Sequence, residues 1–191
     1  MLIYLHGFRS GPQSQKAQQL GARMTERGLA DQWWCEQLVW GPATAIAQVS
    51  RIIEACSELP TLVGSSLGGF YATWLAERYA LRAVLVNPAV LSHITLATHL
   101  GPQQMLYTDE HFDFTTAHLE ELRALEAGHL GDPSRYWLLA ETGDEVLDYR
   151  GAVARYAGAR QTVLAGGDHS FTRWDDYLDG ILKFAGLIDN D

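Results

Sequence analysis

Residues 61–70 read Thr-Leu-Val-Gly-Ser-Ser-Leu-Gly-Gly-Phe, and this stretch decides the fold. It begins with a short apolar run typical of a buried strand. It continues into apolar residues at helical spacing, namely Leu67, Phe70, Tyr71, Trp74 and Leu75. Between the two lies Gly64-Ser65-Ser66-Leu67-Gly68, a Gly-x-Ser-x-Gly motif. At a sharp strand-to-helix turn this motif predicts a nucleophile elbow, in which small neighbours let the central serine adopt a strained conformation.

Ser66 is the candidate nucleophile of this motif, because only this serine has glycine both two positions before it and two positions after it. Ser65 has Val63 and Leu67 at those positions, and we interpret it as a packing residue. The alternative for Ser66 is a glycine-serine turn without chemistry. A catalytic interpretation therefore requires a base and an acid elsewhere in the chain.

The rest of the chain alternates short β-rich runs with longer segments of helical period, which is typical of a parallel sheet covered by helices on both faces. The candidate strands are Leu2–Leu5, Trp33–Leu38, Thr61–Val63, Ala83–Val86, Tyr136–Ala140 and Gln161–Leu164. Their continuous apolar character indicates burial on both faces. We expect a three-layer α/β fold with an all-parallel, six-stranded sheet. Thr172, with Asp175 three residues later, is expected to cap the last helix.

The segment between Pro88 and Tyr136 is too long for an ordinary connection. It contains at most two short helical patterns, and we interpret residues 89–131 as a lid inserted in a single domain that covers residues 1–191. Five of the seven histidines lie there, at His93, His99, His111, His118 and His129. They lack close ligand spacing, so we expect no metal site.

Composition limits the classes of function. The 191 residues include 14 basic and 23 acidic side chains, a formal net charge of -9. An acidic surface repels nucleic-acid phosphates and anionic lipid, which disfavours both as partners.

No apolar run approaches the roughly 20 residues of a membrane span, and Met1–Leu5 lacks a basic flank, so we expect a cytoplasmic protein without membrane insertion. Cys35 and Cys56 lack Cys-x-x-Cys spacing and are expected to be reduced core thiols rather than nucleophiles or metal ligands.

A serine hydroxyl needs a general base, and that base needs an acid to fix its tautomer. His169 follows the last candidate strand, and Asp144 follows the strand that ends near Ala140. We therefore predict Ser66, His169 and Asp144 as nucleophile, base and acid, in the chain order Ser, Asp, His that α/β-hydrolases use. Alternative acids are Asp148 and Asp168, and the alternative base is His6.

An acyl-transfer site also needs donors for the developing oxyanion. The N–H of Leu67, directly after the nucleophile, is one candidate. The N–H of Phe8, in the loop after the first strand, is the other, although its ring could instead be a loop aromatic that covers the core. His6, Gly7 and Pro88 are expected to contribute to substrate binding.

The sequence resembles the small bacterial α/β-hydrolases of the YqiA esterase type. The blocks that carry this resemblance are Tyr4–Phe8, Gly64–Gly69, Tyr71–Trp74, Asn87–Val90, Thr142–Arg150, Gln161–Val163 and Gly166–Phe171. The resemblance implies an esterase that uses Ser66, Asp144 and His169 on a small-molecule acyl ester. It also implies a trimmed α/β-hydrolase fold, whose sheet we expect to have the order 2-1-3-4-5-6. The expected two-step hydrolysis needs no cofactor. Arg9 stands where this family is expected to have a smaller polar residue, and the segment from Pro88 to Tyr136 matches weakly.

The expected function is hydrolysis of carboxylic esters through an acyl-enzyme. An acyl-CoA thioesterase or a peptidase would use the same three residues, because the acyl-enzyme chemistry is shared. A binding protein that kept the fold after losing activity is the alternative outside enzymes. The presence of all three candidate residues favours an enzyme.

Overall fold

The computed structural model describes residues 1–189, and its centre is a six-stranded parallel sheet. The strands of this sheet are β1 (Leu2–Leu5), β2 (Trp33–Trp34), β3 (Thr61–Ser65), β4 (Arg82–Val86), β7 (Tyr136–Glu141) and β8 (Arg160–Leu164). Their order is β2-β1-β3-β4-β7-β8, and every neighbouring pair is parallel. Counted within this sheet alone the order is 2-1-3-4-5-6, so the predicted topology is confirmed.

Helices cover both faces of the sheet. They are α1 (Gln15–Glu26), α2 (Pro42–Ala55), α3 (Leu67–Tyr79), α4 (Ser92–Thr95), α5 (Thr116–Ala124), α6 (Tyr149–Arg155) and α7 (Leu178–Phe184). Successive side chains of β1 point to opposite faces, as a strand requires. Ile3 and Leu5 pack in the core that includes residues of α2 and α3, whereas Leu2 and Tyr4 pack in the core that includes residues of α1 and α7. The two cores explain why the strands are apolar without alternation.

The predicted extent of the second strand, Trp33–Leu38, is wrong, because only Trp33 and Trp34 pair with β1. Beyond them the backbone bonds to side chains instead of to the sheet. The N–H of Leu38 donates to Nε2 of His6 at 2.9 Å. The side-chain amide of Gln37 donates to the carbonyl oxygen of Ser10 at 3.0 Å. These bonds turn the chain away from β1 and end the strand early.

The segment between β4 and β7 contains a β-hairpin that the helical patterns did not predict. Its strands are β5 (Gly101–Gln104) and β6 (His111–Phe114), paired antiparallel. In β6 the residues alternate, with Phe112 and Phe114 buried and His111 and Asp113 exposed. The Phe8 ring meets both phenylalanine rings edge-on, with centroids 6.0 and 5.1 Å away. The hairpin therefore packs on the loop that follows β1.

The predicted cap at Thr172 is also wrong. A single 3-10 turn, Trp174–Tyr177, precedes α7, and Arg173 rather than Thr172 is its N-terminal flanking residue. The Thr172 hydroxyl is used elsewhere, since it donates to the Glu141 carboxylate at 2.9 Å. Thr172 therefore bonds to a buried carboxylate instead of capping the last helix.

No helix among residues 1–189 has both the length and the apolar character needed to cross a membrane. Cys35 and Cys56 are free and half-buried. Burial raises the pKa of the Cys35 thiol to about 12, with the neighbouring Glu36 carboxylate adding to the shift. A thiol in that state is a poor nucleophile near neutral pH.

Gly68 tests how α3 packs on the sheet. Gly68→Ala is expected to lower the free energy of unfolding by about 1–3 kcal/mol, because the added Cβ would overlap the Leu5 carbonyl. Gly151→Ala is the matched control, since Gly151 lies within α6 and a Cβ there meets nothing within 4 Å. The control should be neutral or stabilising by up to about 1 kcal/mol. Equal denaturant midpoints for Gly68→Ala and the wild type would contradict this packing.

Candidate active site

Ser66 lies at the turn between β3 and α3 in a strained backbone conformation, with φ 56° and ψ -120°. Non-glycine residues rarely adopt positive φ. Hydrogen bonds hold the turn on both sides. The Ser66 N–H donates to the Val86 carbonyl at 3.0 Å, and the Ser66 carbonyl accepts from the N–H groups of Gly69 at 2.9 Å and Ala89 at 3.1 Å. This arrangement is that of a nucleophile elbow, in which the hydroxyl stands clear of the backbone.

Glycine is required on both sides of this turn. A Cβ on Gly64 would lie 2.7 Å from the Cα of Gly69, and a Cβ on Gly68 would overlap the backbone of Leu5. Both approaches are to backbone atoms, which cannot move aside as a flexible side chain can. The Gly-x-Ser-x-Gly spacing therefore has a steric cause in this fold.

His169 and Asp144 meet Ser66 in a continuous chain of hydrogen bonds. Nε2 of His169 lies 3.0 Å from the Ser66 Oγ. Nδ1 of His169 lies 2.8 Å from Oδ2 and 3.0 Å from Oδ1 of Asp144. With Nδ1–H donating to the carboxylate, Nε2 is free to accept the serine hydroxyl proton. The structure thus brings together all three residues predicted as nucleophile, base and acid.

Asp144 is held as a buried carboxylate, with only 1% of its side chain exposed. Burial alone would raise its pKa, but hydrogen bonds from the His169 ring and from the N–H groups of Leu147 and Val146 outweigh burial and hold the pKa below its ordinary value. The two backbone donors lie 2.8 and 2.9 Å from Oδ1. Asp144 is therefore ionised and fixed in position near neutral pH.

The two alternative acids, Asp148 and Asp168, bond to nearby backbone N–H groups. The Asp148 carboxylate accepts from the Arg150 N–H at 2.9 Å and caps the N-terminus of α6. The Asp168 carboxylate accepts from the Ser170 N–H at 2.8 Å. Within residues 1–189 neither carboxylate bonds to the His169 ring, so neither competes geometrically with Asp144.

His6, the alternative base, has both ring nitrogens engaged by backbone. Nδ1 lies 3.1 Å from the Gly7 carbonyl, and Nε2 accepts from the Leu38 N–H at 2.9 Å. His6 is buried, and burial lowers its pKa despite the bond to Gly7, which acts the other way. A neutral His6 therefore joins the loop after β1 to the chain that leaves β2.

A narrow cleft lies beside the turn, and we call it the Gly7 cleft. Its walls include Gly7, Phe8, Arg9, Leu67, Tyr71 and Phe112. A Cβ built on Gly7 would lie 3.3 Å from the Ser66 Cβ and 3.8 Å from its Oγ, so the cleft begins next to the serine. His6 also lines the cleft, whereas Pro88 packs against Gly69 and does not.

The backbone N–H groups of Phe8 and Leu67 are free of protein acceptors in the described part of the chain. Both residues line the Gly7 cleft. The Phe8 ring packs on the hairpin, so this residue combines the covering role and a free N–H. Two unpaired donors beside a serine hydroxyl can stabilise a negative oxygen.

A second cavity has a volume of about 370 Å³. Its lining includes Phe70 and Ala89, whose N–H groups both bond to the Ser66 carbonyl, at 3.3 and 3.1 Å. It extends along α3 to Tyr156 and Arg155 at the end of α6. Across residues 1–189 there is no group of three or more His, Cys, Asp or Glu side chains placed to hold a metal ion, in this cavity or elsewhere.

Residues 1–186 match UPF0227, an uncharacterised protein family. The chain belongs to this family. The match confirms the resemblance to small bacterial α/β-hydrolases of the YqiA type. The matched range includes every residue of the candidate site, from His6 to His169.

Solved structures share the fold at low sequence identity. A proposed hydrolase from Agrobacterium vitis S4 superposes with a TM-score of 0.73 at 20% identity, covering 96% of this chain and 87% of that chain. Monoacylglycerol lipase from Paleococcus ferrophilus gives 0.67 at 14% identity, with 98% and 94% covered. Est1E from Butyrivibrio proteoclasticus with bound ferulic acid gives 0.65 at 12% identity, with 96% and 86% covered. These likenesses establish the α/β-hydrolase fold.

Glu141 is the site residue that sequence reasoning missed. Its side chain is completely buried, and its carboxylate accepts from the N–H groups of Asp168 at 3.0 Å and Thr172 at 2.9 Å. Arg173 Nε donates to it at 2.8 Å. Burial alone would raise the Glu141 pKa, but these donors reverse the shift and lower it. Glu141 thereby fixes the loop that carries His169.

Asn87 and Lys16 support the same loop from other elements. The Asn87 side-chain amide donates to the carbonyl oxygens of Asp168 and His169 at 3.0 and 3.1 Å, and its own oxygen accepts from the Glu141 N–H. Lys16 Nζ donates to the Ser170 carbonyl at 2.6 Å. Burial lowers the pKa of Lys16 to about 8, although nearby carboxylates, Asp168 first among them, oppose the shift.

The substitution His6→Gln tests whether His6 is neutral in the folded protein. Because the folded-state pKa of His6 is lowered, its contribution to stability is full above the unfolded value of about 6.5 and is lost as pH falls below it. Glutamine does not titrate, and its side-chain oxygen can accept the Leu38 N–H. The wild type should therefore lose more unfolding free energy than His6→Gln between pH 7.5 and pH 5, as measured by urea denaturation. His111→Gln, at an exposed histidine, should keep the wild-type pH dependence. Parallel pH curves for wild type and His6→Gln would refute a buried neutral His6.

Proposed function

We propose that the protein is a serine hydrolase that cleaves small carboxylic esters through an acyl-enzyme. The observation that carries the proposal is the bonded series from Ser66 Oγ to His169 Nε2, 3.0 Å, and from His169 Nδ1 to Asp144 Oδ2, 2.8 Å. The strained turn at Ser66 adds support, since such strain recurs at functional sites.

In the first step the Ser66 Oγ attacks the acyl carbon while His169 Nε2 takes the hydroxyl proton. The negative charge that forms on the carbonyl oxygen is met by the free N–H groups of Phe8 and Leu67. The tetrahedral intermediate collapses, the alcohol leaves with the proton from Nε2, and the acyl group stays on Ser66. Asp144 fixes the His169 tautomer and stabilises the imidazolium that forms in this step.

In the second step water attacks the acyl-enzyme. His169 Nε2 removes a proton from the water, the same two N–H groups hold the oxyanion, and the proton returns to Ser66 Oγ as the acid leaves. Every acid-base and electrostatic role is assigned to a residue of this chain. The proposed mechanism therefore needs no cofactor.

The proposed binding of a small substrate is based on the Gly7 cleft and on the hairpin segment that lines it. His6 and Gly7 line the cleft beside Ser66, and Pro88 supports the start of α3. Met105 and Phe112 reach the same cleft from the hairpin segment. We interpret residues 89–131 as a lid over the site, within a single domain. Ester-related neighbours such as Est1E and monoacylglycerol lipase favour an ester as the substrate.

Covalent labelling tests Ser66 directly. A fluorophosphonate probe should label the wild-type protein, because its electrophilic phosphorus reacts with a serine activated by an adjacent base. Ser66→Ala should abolish labelling, whereas Ser65→Ala should retain most of it. Peptide mass spectrometry locates the label. Undiminished labelling of Ser66→Ala, at Ser65 or any other residue, would refute the assignment.

Substitution of the carboxylates tests the acid. Asp144→Asn should reduce kcat for a p-nitrophenyl ester by a factor on the order of 10⁴, because His169 loses both its tautomer and its ionic partner. Asp148→Asn removes the same charge four residues away and keeps a capping side chain on α6, so its activity should stay near that of the wild type. A larger loss for Asp148→Asn than for Asp144→Asn would overturn the assignment.

A further inference from the structure

We propose that Arg9 selects substrates that carry a carboxylate a few bonds from the scissile carbonyl. This inference rests on the proposed esterase function and names its substrate class. Arg9 lines the Gly7 cleft, and of the lining residues in the described part of the chain it alone is charged near neutral pH, because burial keeps His6 neutral. The other lining residues are glycine, aliphatic, aromatic or, at Met105, a thioether. A single cation in such a cleft defines one place for an anion.

The Arg9 guanidinium is held in place but is not neutralised. Its Nη1 donates to Oε1 of Gln103 at 3.1 Å. The Gln103 amide is oriented in turn, because its Nε2 donates to the His99 carbonyl at 2.7 Å. Among residues 1–189 the Arg9 side chain forms no ion pair with a carboxylate, in a protein of net charge -9. Remaining guanidinium donors are therefore available to a bound anion.

Arg9 follows Gly7 by two positions in the chain. Gly7 sits next to Ser66, and the Arg9 Cα is no more than about 7.6 Å from the Gly7 Cα, since two peptide units separate them. The Ser10 N–H donates to the Gly7 carbonyl at 3.1 Å, which closes a tight turn. Arg9 occupies the third position of this turn with φ 58°, where glycine is usual. Strained positions of this kind recur at functional sites, which supports a role for the Arg9 side chain.

A carboxylate fits the charge and the narrow width of this site. One guanidinium presents a planar pair of donors that matches the two oxygens of a carboxylate. The cleft is narrow and mainly apolar, which suits a short acid. Half-esters of short diacids, or esters of short hydroxy acids, are the substrates that meet these conditions.

The test compares an anionic ester with its neutral analogue. Hydrolysis of monomethyl succinate and dimethyl succinate is followed by acid release, and the ratio of their kcat/KM values is taken for each variant. Arg9→Gln should lower this ratio by roughly 10- to 100-fold, the scale of a lost charge-assisted hydrogen bond. Arg9→Lys keeps the charge and should retain part of the ratio. Arg51→Gln, at an exposed arginine of α2, removes an equal charge and should leave the ratio unchanged.

A parallel pair, O-acetylglycolate and its methyl ester, places the carboxylate on the leaving group. The pair with the larger Arg9 dependence shows whether the acyl part or the alcohol part carries the anion. If Arg9→Gln lowers both members of each pair equally, Arg9 only anchors the hairpin and the inference fails.

Binding separates this inference from the proposed function. Calorimetric titration with succinate uses the Ser66→Ala protein, with and without Arg9→Gln. Arg9-dependent binding without any ester hydrolysis would refute the esterase and leave the carboxylate site standing. Ester hydrolysis with a ratio indifferent to Arg9, together with succinate binding indifferent to Arg9, would overturn the carboxylate site alone.

Discussion

The close contact between the start of α3 and the end of β1 is the constraint on which the rest of the structure depends. Gly68 meets the Leu5 backbone with no room for a side chain, and Gly64 meets the backbone of Gly69. These approaches fix the turn so tightly that Ser66 takes a positive φ. They also bring the loop after β1, with Gly7 and Phe8, to the same point. The position of Ser66, the proposed nucleophile, is thus set by backbone packing around the turn.

Hydrogen bonds then fix the position of the loop that carries His169. This loop has little regular structure. Its position is maintained by Glu141 in β7, Lys16 in α1 and Asn87 directly after β4. Glu141 is buried yet ionised because two backbone N–H groups, a hydroxyl and Arg173 share its charge. Burying a carboxylate is costly unless it is satisfied in this way. His169, the proposed base, is therefore held by a hydrogen-bond network rather than by a helix or strand.

Local sequence patterns predicted the strands and the turn at Ser66, and the resemblance to α/β-hydrolases predicted the sheet order. Continuous apolar runs mark strands buried on two faces, and the Gly-x-Ser-x-Gly spacing marks a turn with one steric solution. The features that escaped prediction depend on distant partners. His6 shortens β2 by bonding to Leu38, and Glu141 accepts from residues about 30 positions later. The hairpin strand His111–Phe114 alternates over only four residues, too few to stand out against the helical patterns around it.

The strand order has a consequence for synthesis on the ribosome. β1 lies between β2 and β3, so its inner edge stays unpaired until β3 has been made, after the whole of α1 and α2. Until then the apolar strand Leu2–Leu5 has an open edge that can pair with another chain. Pairing across such a sequence distance is also slow. The nascent chain therefore carries this open apolar edge until β3 emerges, well before Asp144 and His169 have been translated.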